Sequence, residues 1–123
     1  MIVPKPKRVN YDKLLKKADA VFSIWIRNRD GNRCVVCGST NKVQNGHLFK
    51  RGKKRIRFDE KNCNAQCSIC NFKHNKYPEP YTAFFLRKYG QDAYLELEKI
   101  AQINGPYKIP RDFLENIIEK YAL

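Results

Sequence analysis

Two copies of a CxxC motif, Cys34-Val-Val-Cys37 and Cys67-Ser-Ile-Cys70, enclose the middle of the 123-residue chain. A CxxC turn brings two sulfurs into one coordination sphere, so the pair of motifs predicts a tetrahedral zinc site made of four thiolates. Such a site has no open position and is structural. Its binding free energy, roughly 10–16 kcal/mol, is comparable to or larger than the usual stability of a small domain. We therefore predict that the chain does not fold without the ion.

The alternative function of a CxxC motif is redox chemistry, but that requires a thioredoxin-like βαβ context, which the flanking sequence does not indicate. The fifth cysteine, Cys63, is expected to be a partly buried free thiol rather than a ligand or redox group. Basic residues at the N-terminus are not followed by the apolar stretch of a signal peptide, and no apolar run approaches 18 residues. These features predict a cytoplasmic protein with reduced thiols and no membrane partner.

The charge of the chain indicates a polyanionic partner. Lys and Arg number 25 against 12 Asp and Glu, which gives a formal net charge of +13. Nucleic acid is the first candidate, and an acidic membrane surface or an acidic protein is the alternative. The densest basic run lies between the two CxxC motifs, so its side chains are predicted to bind phosphates near the zinc site; they are Lys50, Arg51, Lys53, Lys54, Arg55 and Arg57.

Hydrophobic periodicity predicts an α+β protein that is mainly helical. Residues 1–9 are expected to form an extended basic arm, and residues 10–123 a single domain. Within it we predict an N-terminal helix (10–30), a zinc-clamped core (34–76) and C-terminal helices (79–123). The core should contain a strand around residues 42–49, an extended segment at 62–67 and a short helix at 70–76, and the C-terminal helices should span 79–89, 92–103 and 111–121. Their apolar stripes are expected to be core or a dimer interface.

Further residues within this core complete a recognisable pattern: Gly46-His47, Asn62 and, directly after the last cysteine, Asn71. Together with the two CxxC motifs they resemble the zinc-hooked HNH nucleases, which have a ββα-metal core, and are similar in plan to phage endonuclease VII. A longer stretch, from Phe22-Ser-Ile-Trp-Ile through Arg57-Phe58-Asp-Glu-Lys-Asn62 to Gly90-Gln91, resembles the lambdoid phage NinG (Rap) recombination family. This resemblance covers roughly residues 20–100.

The resemblance implies a catalytic site. His47 would be the general base, Asn62 would hydrogen-bond across the loop of the ββα unit, and Asn71 would offer its carbonyl oxygen to Mg²⁺ or Mn²⁺. Many HNH nucleases place a metal ligand directly before the catalytic histidine, where this chain has Gly46. His74 is therefore expected as a second ligand, with alternatives at Asn45, Asp59 and Glu60.

The function implied is that of a metal-dependent, structure-selective endonuclease. It would cut branched DNA such as Holliday junctions and D-loops in the host cytoplasm, and paired cuts would suit a homodimer. One alternative is a zinc-stabilised module that binds nucleic acid without cutting it. Another is a site-specific homing or restriction nuclease. Three aromatic residues near the site could stack on an exposed base, although core packing is expected for them: Phe72, Tyr77 and Tyr81.

Overall fold

The computed structural model describes residues 8–122, so the predicted arm at 1–9 falls almost entirely outside the described residues. The elements confirm a small α+β protein with five helices and one two-stranded sheet. The helices are α1 (Tyr11–Arg29), α2 (Ser68–His74), α3 (Glu79–Tyr89), α4 (Gln91–Ala101) and α5 (Arg111–Tyr121). The strands are β1 (Val43–His47) and β2 (Cys63–Cys67), and a single 3₁₀ turn spans Lys54–Ile56.

Helix α1 forms the longest wall of the domain. Asn10 caps it, because its side-chain oxygen accepts the N–H of Asp12 at 2.8 Å. Its buried stripe repeats at helical spacing: Leu14, Ala18, Phe22 and Ile26. Helix α5 packs along this stripe, with the Tyr121 ring 4.8 Å from the rings of both Phe22 and Trp25. The apolar stripe of α5 is therefore used inside the chain.

Strands β1 and β2 pair antiparallel, with Val43 opposite Cys67 and His47 opposite Cys63. Helix α2 follows β2 without a linker, and Cys67 caps it by accepting the N–H of Cys70 on its sulfur. The second zinc motif thus straddles the junction between strand and helix. An ion held there would fix the direction in which α2 leaves the sheet.

The outer edge of β2 is covered by side chains rather than by a third strand. Arg29 donates to the carbonyl of Cys63 at 2.8 Å and pairs with Asp30, whose carboxylate accepts the N–H of Ala65 at 2.8 Å. The N–H of Val35 donates to the carbonyl of Ala65 at 2.8 Å. These bonds satisfy the free strand edge and tie it to the end of α1.

Helices α3 and α4 build a second core on the far side of the loop that joins the strands. Its buried members are Leu48, Ile56, Tyr81, Phe85, Leu97 and Ala101. No helix within residues 8–122 combines the length and the apolar character needed to cross a membrane.

A cysteine cluster beside a polar cleft

The four CxxC cysteines come together as predicted. The sulfurs of Cys34, Cys37, Cys67 and Cys70 all lie within 4.8 Å of one another, and those of Cys37 and Cys67 are 3.6 Å apart. Sulfurs bound to one zinc ion at about 2.3 Å in a tetrahedron would be separated by about 3.7 Å. Gly38, with φ of +79°, makes the left-handed turn that closes the first motif. The cluster could therefore hold a structural zinc.

The electrostatics of the cluster fit a cation. Burial alone would raise the pKa of Cys34, but backbone N–H groups of Cys37, Cys67 and Val36 outweigh it and lower that pKa to about 7. At Cys70, burial raises the pKa first, hydrogen bonds to the three neighbouring sulfurs then favour the protonated thiol, and the charge of Cys34 adds repulsion between thiolates. A dication at the centre would remove this repulsion and hold all four sulfurs deprotonated.

A polar cleft of about 670 Å³ opens next to the cluster, between α1, β1, α2 and the start of the basic loop. The lining residues are mostly amide, hydroxyl, imidazole and basic side chains: Asp19, Ser23, Gln44, Asn45, His47, Lys50, Arg51, Ser68, Asn71, Phe72, His74 and Asn75. Two of the three predicted catalytic residues, His47 and Asn71, are among them.

His47 is half-buried at the end of β1, and its ring has a defined orientation. Its Nε2 lies 2.9 Å from the carbonyl oxygen of Arg57, which can only accept a hydrogen bond, so Nε2 carries the proton. None of residues 8–122 hydrogen-bonds Nδ1, which leaves the lone pair of the neutral ring unpaired in a residue that lines the cleft. That is the geometry of a base that can take a proton from water.

Asn62 is fully buried and does not line the cleft. Its side chain accepts the N–H of Phe49 at 2.8 Å and donates to the carbonyls of Phe49 and Ile56, both at 3.0 Å. These three bonds close the loop between the strands, which is the contact predicted for Asn62. The residue can position His47 and its loop, but it cannot touch a ligand in the cleft.

The donors expected for a divalent ion are grouped at the cleft. Asn71 donates its amide N–H to Gln44 at 2.9 Å, so its carbonyl oxygen stays available. His74 donates from Nε2 to the carbonyl of Leu48 at 2.8 Å, and its buried Nδ1 has no partner among the described residues. The buried side-chain oxygen of Asn45 is also unpartnered. These unpartnered oxygen and nitrogen atoms are the donors that the cleft residues offer to a ligand.

The two acidic alternatives are wrong. Asp59 accepts the N–H groups of Lys61 and Asn62 in its own turn, and Glu60 accepts the hydroxyl of Tyr121 at 2.7 Å. Both line a different depression, beside α4 and α5. Asp19 is the acidic residue that lines the cleft within residues 8–122, and its carboxylate is paired with Arg57.

Close packing against β2 explains why position 46 is a glycine. A Cβ there would lie 2.7 Å from Cδ and 2.8 Å from Cγ of Gln66, which is itself buried on β2. The Gly46 carbonyl also accepts the hydroxyl of Tyr81 at 2.7 Å. A metal ligand at position 46 would thus enter the packed interior rather than the cleft, because side chains alternate along a strand.

We expect Gly46→Ala to destabilise the fold by about 1–3 kcal/mol, since the added methyl collides with Gln66 in a filled interior. Chemical denaturation measures this, with Gly52→Ala as the matched control, because a Cβ at Gly52 meets nothing within 4 Å. Combining Gly46→Ala with Gln66→Ala should recover part of the loss. Equal stability of Gly46→Ala and Gly52→Ala would disprove the packing explanation.

The basic run is divided between three environments. Lys50 and Arg51 line the cleft, whereas residues 53–55 line a separate cavity together with the segment 103–107. Arg57 is buried and its guanidinium contacts both carboxylate oxygens of Asp19, so the prediction that it binds phosphate is wrong. Its charge is neutralised inside the protein, and its carbonyl orients His47 instead. The sequence did not reveal the Asp19–Arg57 pair, whose members are far apart in the chain.

The aromatic residues also differ from expectation. Tyr81 is core, as predicted, but Phe72 is 83% exposed and Tyr77 is 54% exposed, so core packing is wrong for these two. Phe72 lies on α2 at the rim of the cleft, next to Asn71. Cys63 is fully buried rather than partly buried, and this burial raises the pKa of its thiol.

In any reaction that uses His47 as a base, the acid limb of the pH–rate profile should have its midpoint below pH 6.5. Burial of the ring lowers the pKa of His47; the charges of Arg57 and Arg51 act in the same direction, while the bond to the Arg57 carbonyl and the charge of Asp19 oppose it. The His47 ring therefore stays neutral at pH 7, and it becomes protonated and unable to act as a base only as pH falls through the lowered pKa. A cation bound nearby would lower the pKa of His47 further. A pH–rate profile measures this limb, and a midpoint above pH 7 would contradict it.

Comparison with known proteins places the chain among phage proteins. The sequence model of the family described as "NinG: Bacteriophage Lambda NinG protein" matches residues 5–123. The chain is 32% identical over 88 residues to "Protein ninG" of Escherichia phage 933W, which covers 68% of this chain and 44% of that protein. It is 31% identical to "Protein ninG" of Escherichia phage lambda and of Salmonella phage P22, again over 88 residues and 43% of each of those proteins. The match thus covers less than half the length of these relatives. No solved structure matches the chain significantly.

Proposed function

The chain belongs to the bacteriophage lambda NinG family, and on that premise we propose that it is a metal-dependent endonuclease of the HNH type that cuts branched DNA. The observation that carries the proposal is the oriented, neutral His47, which lines the same cleft as Asn71 and His74. The order β1, β2, α2 around them supports the proposal, because a ββα-metal core requires the same order of elements. The substrates would be Holliday junctions and D-loops in phage recombination, met in the host cytoplasm.

His47 acts as the general base. A water in the cleft would give its proton to Nδ1 while Nε2–H remains bonded to the Arg57 carbonyl, so the ring stays fixed as it becomes charged. The oxygen of that water then forms a bond to phosphorus while the bond from phosphorus to the 3′ oxygen breaks, and the leaving 3′ oxygen takes a proton from solvent water. Products ending in 5′-phosphate and 3′-hydroxyl would follow. Lys50 and Arg51, which line the cleft, hold the phosphates on either side.

Asn71, His74 and Asn45 would hold the divalent cation, which supplies charge stabilisation for the scissile phosphate and the leaving oxygen. The remaining residues of the site hold these groups in position. Asn62 closes the loop that carries the basic residues, and the Asp19–Arg57 pair fixes the carbonyl that orients His47. The cysteine cluster holds β2 and α2, and hence His47 and Asn71, in one arrangement.

A second candidate function is a zinc-stabilised nucleic-acid-binding module without activity. One observation favours it: the carboxylate of Asp19, the acidic residue that lines the cleft within residues 8–122, is paired with Arg57. The other side-chain donors available to a cation in the cleft are therefore neutral. A homodimer, which would suit paired cuts, also remains a proposal.

One experiment separates these functions. The protein is incubated with a four-way junction, a D-loop, a linear duplex and single strands, each with Mg²⁺ or Mn²⁺. We expect cleavage of the branched substrates first. Binding of all of them without cleavage of any would reject the nuclease and leave the binding module. Preferred cutting of one duplex sequence would instead indicate a site-specific homing or restriction nuclease.

We expect the exposed ring of Phe72 to stack on unpaired bases. An aromatic side chain that is 83% exposed beside a phosphate-binding cleft can stack on a base that has left its pair, and such stacking contributes about 1–3 kcal/mol. We expect Phe72→Ala to weaken binding of a junction with an unpaired centre by about tenfold, with little change for a linear duplex. Phe113→Ala, at a 45% exposed position on α5, is the matched control. Equal loss on both substrates would remove base stacking from the explanation.

A further inference from the structure

The loop that follows β1 carries a second basic surface, separate from the cleft. Lys53, Lys54 and Arg55 line a cavity of about 330 Å³ together with the segment 103–107, which connects α4 to α5. This cavity and the cleft share no lining residue. A single loop therefore contributes Lys50 and Arg51 to one depression and three more cations to another.

The surface continues along the same connection towards α5. A shallower depression there is lined by Arg8, Lys108 and Arg111, with Tyr11 and Ile109. None of the residues lining either depression is acidic, and the ion pairs within residues 8–122 involve only Arg29 with Asp30 and Arg57 with Asp19. Six cations thus line these two depressions without an anionic partner in the described part of the chain.

Two of these cations are held over aromatic rings rather than extended freely into water. The Arg55 guanidinium lies 4.4 Å from the centre of the Tyr107 ring, and the Lys108 amine lies 4.3 Å from the centre of the Tyr11 ring. Such stacking restricts the long side chains, so less conformational entropy is lost when they bind a phosphate. Gly52 and Gly105 leave the cavity wall open, since a Cβ at either position would meet nothing within 4 Å.

We propose that this second basic surface binds the phosphodiester backbone of a DNA segment different from the one in the cleft, so that the protein contacts two arms of a branched substrate at once. Six cations that line two neighbouring depressions suit a run of phosphates rather than a single phosphate group. The inference rests on the proposed action on branched DNA, and it supplies the selectivity for that substrate. Two arms that can occupy two separate basic sites at once are available in a junction but not in a short linear duplex.

The test compares two triple variants that lose the same charge. The first carries Lys53→Ser, Lys54→Ser and Arg55→Ser; the control carries Lys13→Ser, Lys16→Ser and Lys17→Ser, at exposed positions of α1. Binding to a four-way junction and to a linear duplex built from two of its arms is followed by fluorescence anisotropy across a salt series. No Mg²⁺, Mn²⁺ or chelator is added, so the substrates stay intact and a cysteine-bound zinc is not stripped. Thermal melts check that both variants are folded.

We expect the first variant to lose roughly tenfold or more in affinity for the junction, and the slope of log K against log salt to fall by about 2 to 3, since each lost phosphate contact removes about 0.9. Its duplex affinity should change by less than about threefold, and the control variant should affect both substrates equally. Equal losses by the first variant on junction and duplex, or matching results from the two triple variants, would overturn the second site. Because binding is measured without cleavage, this outcome is independent of whether the wild-type protein cuts DNA with Mg²⁺.

Discussion

Cys67→Ser should unfold the domain. Cys67 ends β2, caps α2 and contributes one of the four clustered sulfurs, so the substitution removes a thiolate where strand, helix and ion would meet. A structural zinc site contributes roughly 10–16 kcal/mol at neutral pH, and a domain of this size has about 5–15 kcal/mol of net stability. Circular dichroism should show loss of the helical signal, and metal analysis should show loss of about one zinc per chain.

Cys63→Ser is the matched control. Its sulfur is fully buried but lies outside the cluster, and it donates to the Arg57 carbonyl, a bond that a serine hydroxyl can also make. We expect this variant to keep its zinc and its fold with a modest loss of stability. A folded, zinc-free Cys67→Ser protein would contradict the structural role assigned to the ion.

His47→Ala should abolish cleavage of branched DNA, with a loss of at least about 10²–10⁴ in rate, the usual contribution of a general base. The ring is half-buried and makes one hydrogen bond, to the Arg57 carbonyl, so its removal leaves the cysteine cluster and the basic surfaces in place. DNA affinity and zinc content should therefore stay within about twofold of the wild type. Single-turnover cleavage assays and anisotropy measure the two effects separately.

Chemical rescue distinguishes a base from a structural side chain. Added imidazole should restore part of the cleavage by His47→Ala, because the vacated site is open to the cleft, and the restored rate should follow the pKa of the added base. Cleavage by His47→Ala at the wild-type rate would remove His47 from the mechanism.

The helices and the cysteine cluster could be predicted from local sequence because their signals are local. Asn10 begins α1, Gly90 and Pro106 separate the later helices, and each CxxC motif is complete within four residues. The predicted helices at 79–89 and 111–121 agree with the structure at both ends, and the strand carrying His47 is confirmed. The short α2 begins two residues earlier than predicted because Cys67 itself caps it.

The contacts that shape the cleft depend on residues distant in sequence and could not be predicted in this way. Asp19 on α1 neutralises Arg57, which removes one cation from the predicted phosphate surface. Gln66 on β2 occupies the space beside Gly46. Packing therefore explains why this chain has a glycine at the position where many HNH nucleases have a metal ligand. A phenylalanine such as Phe72 is usually expected in the core, and only the packing of α2 shows that this one is exposed to solvent.

We propose that a zinc-clamped fold uses a second, separate cation to cut DNA. The decisive experiment is cleavage of a four-way junction by zinc-loaded wild-type protein, with and without Mg²⁺ or Mn²⁺, followed by analysis of the product ends. We expect cutting only when the second cation is added, with 5′-phosphate and 3′-hydroxyl termini. Failure to cut at saturating protein with either cation, or equal cutting by the zinc-loaded protein alone, would contradict it.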